Sequence, residues 1–201
     1  MRAATVRPFR ASFTKSSALY RTALAAALMS ATVSTAFANP EGGVVNGGSA
    51  TITQTPGSTV VNQYTDHAII DWASFNINNG ESTHFNQPGS SSVALNRIHD
   101  QNPSQILGSL TANGKLVLVN PNGVFFGVGS RVDVSALVVS TADISNNDFM
   151  RGSTNFNIAG RPDASIINKG TITAAEGGLV ALVAPSVRND GIIQARSGAV
   201  R

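Results

Sequence analysis

INKGTITAAEGGLV (residues 167–180) and RNDGIIQARSGAVR (residues 188–201) decide the fold. Laid side by side they match at Asn168/Asn189, Gly170/Gly191, Ile172/Ile193, Ala174/Ala195 and Gly177/Gly198, with the same spacing at every match. A repeat of that length suits one coil of a right-handed parallel β-helix. Each coil gives its short apolar runs to parallel sheets, and its corners take Asn and Gly for unusual backbone positions. A β-sandwich produces a similar rhythm of strands and turns but leaves the constant spacing unexplained.

Working back from this pair, β-prone runs recur between turn signals: ATIT, STVV, HAIID, SVALNRI, KLVLV, RVDVSALVV, SIIN, TIT, GLVALVA and GIIQA. Gly, Asn, Pro and Ser interrupt them every eight to twelve residues or so, and no amphipathic helix is read. The chain is all-β. At about 4.8 Å per coil, the length predicts seven or eight coils and a rod of about 35–40 Å. The last coil closes on Ala199-Val200-Arg201 without a polar cap, so residues 161–201 read as continuing β-helix repeats of a longer, truncated parent.

The front end differs in kind. Arg2, Arg7, Arg10, Lys15 and Arg21 precede the first acidic residue, Glu41, and residues 22–38, TALAAALMSATVSTAFA, form a small-residue apolar stretch ending in Ala36-Phe37-Ala38. This is the pattern of an extended signal peptide, residues 1–38, cleaved before Asn39. Its loss removes five of the fourteen Lys and Arg, leaving nine against eleven Asp and Glu. The remaining chain is slightly acidic, which excludes binding to nucleic acid through a surplus of cations. It has no cysteine, so stability must come from packing and backbone hydrogen bonds.

Enzyme chemistry finds no constellation. His67, His84 and His99 are spaced too widely for two of them to share one element, and no Gly-x-Ser-x-Gly elbow occurs. Asp66, Asp71, Asp100, Asp133 and Asp143 are dispersed, whereas the lyases and hydrolases built on β-helices need clustered acids or a Ca²⁺ cage. The reading is of a non-enzymatic domain with no cofactor and no metal.

Two groups of residues remain. Asn120-Pro121-Asn122-Gly123 interrupts an apolar run between Leu116 and Leu118 on one side and Val124 and Phe126 on the other. Pro121 fixes φ, Asn122 tolerates unusual backbone states and Gly123 permits φ > 0, so a sharp corner is expected. Trp72, Phe75, Phe85, Leu95 and Ile98 read as core and cap, and a buried Trp72 needs a partner for its indole N–H. Asn96 and Arg97 sit between Leu95 and Ile98, where an arginine must reach solvent or a paired acceptor. A structural bond from this pair to a cap loop is expected, with partner recognition second.

Three stretches together carry a resemblance: IIDWASFNINNGESTHFNQPGSSSVALNRI (69–98), SQILGSLTANGKLVLVNPNGVFFG (104–127) and VSALVVSTADISNNDF (134–149). In this order they resemble the two-partner secretion domain of the filamentous haemagglutinin family, on the branch that holds the high-molecular-weight adhesins. Residues 39–160 would form that domain. A second Asn-Pro element of the haemagglutinin branch survives only as Asn102-Pro103-Ser104, and no role is carried over to it.

The resemblance implies a right-handed parallel β-helix with an N-terminal cap and small extra-helical sheets. It implies a Gram-negative exoprotein that uses the general secretory machinery to reach the periplasm. From there it is passed out by an outer-membrane β-barrel transporter whose periplasmic domains recognise this region, so that the protein ends secreted or at the cell surface. On this reading the domain targets secretion and nucleates folding of a large adhesin-like protein, with Asn120 to Gly123 as its secretion motif. Contacts with host or neighbouring cells would belong to downstream regions. The alternative is a self-sufficient β-helix that binds a host glycan or haem carrier, and a polysaccharide lyase or hydrolase comes third.

Overall fold

The computed structural model describes residues 39–201, and the predicted signal peptide, residues 1–38, lies outside them. In chain order the described elements begin with β1 (Val44–Gly47), β2 (Ala50–Thr55), β3 (Ser58–Gln63), β4 (His67–Trp72), β5 (Ser82–Asn86) and β6 (Val93–Ile98). They continue with β7 (Ser104–Ile106), β8 (Ser109–Ala112), β9 (Lys115–Val119), β10 (Val124–Phe126), β11 (Arg131–Val134), β12 (Ala136–Ser140) and α1 (Asn146–Met150). The last are β13 (Ser165–Asn168), β14 (Thr171–Ala174), β15 (Leu179–Val183), β16 (Ser186–Asn189), β17 (Ile192–Ala195) and β18 (Ala199–Val200).

Three sheets share these strands. The first runs β1-β4-β6-β9-β12-β15-β18, the second β16-β13-β10-β7, and the third β17-β14-β11-β8-β5-β3-β2. Every pairing is parallel except the two at one end, where β1 lies antiparallel to β4 and β2 antiparallel to β3. The architecture is therefore a parallel β-helix of about six turns, closed at its first coil by two reversed strands. Those strands cover the backbone edges that the first coil would otherwise present.

The repeat spacing is a spatial register. Asn168 pairs with Asn189, Ile172 with Ile193 and Ala174 with Ala195. Asn168 Nδ2 donates to Asn189 Oδ1 at 2.8 Å, while each Asn Oδ1 accepts from the N–H two residues on, that of Gly170 or Gly191. The glycines are required because successive corners touch: a Cβ on Gly191 would stand 2.2 Å from the Gly170 carbonyl oxygen. Earlier coils depart from this length. Along the third sheet Ser58 pairs with Ser82, Ser82 with Ser109, Ser109 with Arg131 and Arg131 with Thr171, each a longer step than the last one, from Thr171 to Ile192. That is why the chain makes about six turns and not the seven or eight its length predicts.

The longest step, from Arg131 to Thr171, contains an excursion between β12 and β13. It carries α1 and an antiparallel bridge between Asp143 and Ile158, and these are the extra-helical parts of the described chain. The chain is all-β as expected, and α1 is a short helix within it. Its signal is local, a Ser145-x-x-Asp148 box in which Ser145 Oγ accepts from the Asp148 N–H at 3.1 Å and donates to Asp148 Oδ2 at 2.7 Å. RVDVSALVV, read as one run, is two strands in different sheets with a corner at Ser135.

Two apolar clusters result. The interior of the helix holds Ile70, Trp72, Phe75, Phe85, Leu116, Leu118, Val124 and Phe126 among others, so the apolar residues flanking Asn120 to Gly123 do line the core. The second cluster lies on the opposite face of the first sheet, where Ile69, Leu95, Val117 and Val119 are covered by Ile144 and Phe149 of the excursion. Leu95 thus belongs outside the barrel of coils, although it is fully buried.

Candidate functional site

The corner at Asn120 to Gly123 connects β9 of the first sheet with β10 of the second. The Asn120 carbonyl accepts from the Gly123 N–H at 3.0 Å, and Asn120 Oδ1 accepts from the Asn122 N–H at 2.9 Å. These are the bonds of a tight turn reinforced by an Asx side chain. Positive φ falls at Gly123 (+105°) and not at Asn122, which corrects the expectation that Asn122 takes an unusual backbone state.

Asn120 is fully buried, which its place in a turn sequence did not announce. Its Nδ2 donates to the Asn102 carbonyl at 3.1 Å and to Ser104 Oγ at 3.0 Å. The degenerate Asn102-Pro103-Ser104 element is therefore the surface on which the corner rests. Asn122 Nδ2 reaches the Asp100 carbonyl at 2.7 Å, the Gly123 carbonyl accepts from the Ser104 N–H at 3.0 Å, and the Pro121 carbonyl accepts from the Arg161 N–H at 3.2 Å. Pro121 and Asn122 are half-buried and line a shallow cleft with His99, Asp100, Gln101 and Arg161. Thus Asn120 is committed to the fold, and the surface of the corner belongs to its two neighbours.

Trp72, Phe75 and Asn96 form a second constellation at the first coil. Trp72 and Phe75 meet edge to face with ring centroids 5.5 Å apart. The indole N–H finds its partner in Asn96 Oδ1 at 3.0 Å, and Asn96 Nδ2 donates to the Ala94 carbonyl at 3.3 Å. All three side chains are enclosed, so this polar bond lies inside the core.

Arg97, one residue on, faces outward. Its Nε donates to Asp143 Oδ2 at 2.6 Å, its Nη1 to Asp71 Oδ1 at 3.2 Å and Asn146 Oδ1 at 2.9 Å, and its Nη2 to the Ile144 carbonyl at 2.8 Å. Burial by itself would lower the Arg97 pKa. The hydrogen bond and charge of Asp143, then those of Asp71, outweigh it and hold the pKa above the ordinary arginine value. The expected cap-loop partner is instead the excursion, which Arg97 clamps onto β4 and β6. Arg97→Met is expected to lower stability by about 2–3 kcal/mol, because two partly buried carboxylates lose their cation. Urea unfolding measures the loss, and hydrogen exchange should show Ile144 and Phe149 opening before the coils do.

The three histidines remain apart. His84 bonds Thr111 and Asn86 on the third sheet, His67 lies against the Phe149 ring at 5.7 Å, and His99 approaches Asp71 at 3.3 Å. Among the described residues no group of three or more His, Cys, Asp or Glu could hold a metal ion.

Comparison with known proteins gives consistent relatives. The sequence pattern of the family described as TPS secretion domain matches residues 36–200. A heme/hemopexin-binding protein of Haemophilus influenzae (strain ATCC 51907 / DSM 11121 / KW20 / Rd) is 36% identical over 174 residues, covering 82% of this chain and 19% of the relative. Another heme/hemopexin-binding protein of Haemophilus influenzae is 43% identical over 98 residues, covering 48% of this chain and 11% of that one. Among solved structures, the HMW1 secretion domain from Haemophilus influenzae superposes with a TM-score of 0.72 at 34% identity, covering 77% of this chain and 42% of that chain. The chain spans about a fifth or less of the curated relatives it matches.

Proposed function

Because the chain belongs to the TPS secretion domain family, we propose that residues 39–160 are the part of an adhesin-like exoprotein that an outer-membrane β-barrel transporter recognises through its periplasmic domains. Membership makes the chain an N-terminal secretion domain of an exoprotein exported across the outer membrane, and it implies a dedicated transporter in that membrane. The finer reading adds a signal peptide cleaved after Ala38, a periplasmic stage reached by the general secretory machinery, and a secreted or surface-held product. Heme and hemopexin binding belong to the named relatives as whole chains, and no residue of this chain is assigned to either.

The observation that carries the folding part is the polarity of the helix. Antiparallel β1 and β2 close the first coil, and each later strand of the first sheet pairs onto one that precedes it in the chain. A chain delivered from its N-terminus can therefore complete a capped template first and add coils to it in order. Within that template Asn120 to Gly123 acts by fixing the β9–β10 corner, and Pro121 and Asn122 are the residues of the motif that a partner can touch.

The test is Asn120→Ala in cells that co-express the transporter. The change removes a buried side chain that makes three hydrogen bonds and strands the Asn102 carbonyl and the Asn122 N–H, so a loss of about 2–4 kcal/mol and blocked secretion are expected together. Pro121→Ala with Asn122→Ala should behave differently, weakening binding to the transporter's periplasmic domains more than it lowers the melting temperature. Normal stability and normal secretion of Asn120→Ala would remove this residue from the mechanism.

A further inference from the structure

The N-terminal cap contains a small polar cleft. It is lined by Asn39, Glu41, Gln54 and Thr55 and has a volume of about 180 Å³. Asn39 is only 7% exposed, yet among the described residues its Oδ1 has no hydrogen-bond donor. Gln54 Nε2 is already engaged, donating to the Pro40 carbonyl and to Thr59 Oγ1 at 3.4 Å, so the end of Gln54 left over is its acceptor Oε1. Glu41 adds a carboxylate, held in place through its backbone by bonds with Ala73 and Ser74. The cleft is therefore rich in acceptors, one of them an orphan, and it has a negative charge at its edge. Among the described residues no cation lines it.

Processing would create one on Asn39, a residue that lines the cleft. Cleavage after Ala38 converts the Asn39 nitrogen from a neutral amide with one N–H into an ammonium with three. The following proline restricts Asn39 to extended backbone, which narrows the directions its nitrogen can take before it becomes charged. We propose that this cleft is the seat of the α-ammonium created at Asn39, so that signal cleavage locks the N-terminal cap. The proposal rests on the processing reading above. Its consequence is that the uncleaved chain carries a looser first coil than the processed one, and the switch between them is the appearance of a single positive charge.

The seat has a defined pH dependence. Among the described residues, Glu41 is the one titratable side chain lining the cleft, and β2 and β3 contribute the neutral Gln54, Thr55 and Thr59. An α-ammonium that gains a carboxylate partner keeps its proton to higher pH in the folded chain than in the unfolded one. Its stabilisation is complete below the unfolded value of about 7.7–8.0 and is lost as pH rises through the folded value.

The experiment exports the full chain with its own signal beside a variant with Gly-Ser inserted between Ala38 and Asn39, which moves the charge two residues away. N-terminal sequencing of both products comes first, followed by thermal unfolding from pH 6 to 9.5. With Asn39 first, the parent should melt about 3–6 °C above the insertion variant near pH 7, and the gap should close at high pH. Glu41→Gln in the parent should reduce the gap without moving the cleavage site. A product that does not begin at Asn39 overturns the processing reading and the seat with it. If Asn39 is first but the parent and variant melt together across the range, cleavage stands and the seat is refuted.

Discussion

Gly123→Val is expected to be severely destabilising, by about 4 kcal/mol or more. Two independent effects combine. The residue sits at φ +105°, a conformation that a β-branched side chain tolerates poorly, at about 1–3 kcal/mol of strain. In addition, a Cβ at this position would stand 2.3 Å from the Ser165 carbonyl oxygen, which is backbone and cannot swing aside. Relief requires β13 to move off β10, where Val124 pairs with Ile166, and this opens the second sheet next to the corner. A total loss of about 4 kcal/mol or more follows, a large share of the stability of an ordinary domain. Gly129→Ala is the matched control. That glycine has φ +87° with nothing within 4 Å of its would-be Cβ, so it reports the backbone preference alone, about 1–2 kcal/mol. Urea midpoints of Gly123→Ala and Gly129→Ala isolate the contact, and equal losses would show that Ser165 does not constrain the corner.

Trp72→Ala should destabilise by about 3–5 kcal/mol, as expected for emptying an enclosed aromatic site. The more discriminating change is Trp72→Phe. It retains most of the contact with Phe75 but leaves Asn96 Oδ1 buried without a donor, at about 1–3 kcal/mol. The second partner then decides the cause. Adding Asn96→Leu to Trp72→Phe replaces both ends of the bond by apolar groups, and should recover much of the loss if the orphaned acceptor was responsible. A double variant no better than Trp72→Phe would assign the loss to packing. The Trp72 and Asn96 variants leave the surface of the Asn120–Gly123 corner untouched, so any secretion defect they cause must act through folding.

The repeat at the C-terminal end was legible because two consecutive corners obey the same rule, with an Asn that bonds its counterpart in the next coil and a Gly pressed against the glycine before it. Nearer the N-terminus the same column loses its chemistry. Phe126 pairs with Asn168, so interior residue types change from coil to coil while the backbone register continues. Coil length varies as well, and identity at one fixed spacing cannot reveal coils of unequal length.

The candidate site divides in the same way. The turn at Asn120 to Gly123 could be read because Pro and Gly constrain their own backbone. The burial of Asn120 could not, because it depends on Asn102 and Ser104, which the coil brings beneath it and no local pattern couples to it. Trp72 announced its need for an acceptor but not that Asn96 would meet it, since that requires knowing that β4 and β6 pair Ile70 with Asn96. The excursion left almost no periodic trace. Its attachment to the first sheet depends on Arg97 and on two buried apolar residues, Ile144 and Phe149.

The clamp made by Arg97 also sets a length. Arg97 and Asp143 are 46 residues apart in the chain and 2.6 Å apart in space. Stretched out, that interval spans about 150 Å, some five times the thickness of a bilayer's hydrocarbon core of about 30 Å. For a polypeptide that crosses a membrane extended and end first, the two groups stay in different compartments until nearly the whole interval has passed.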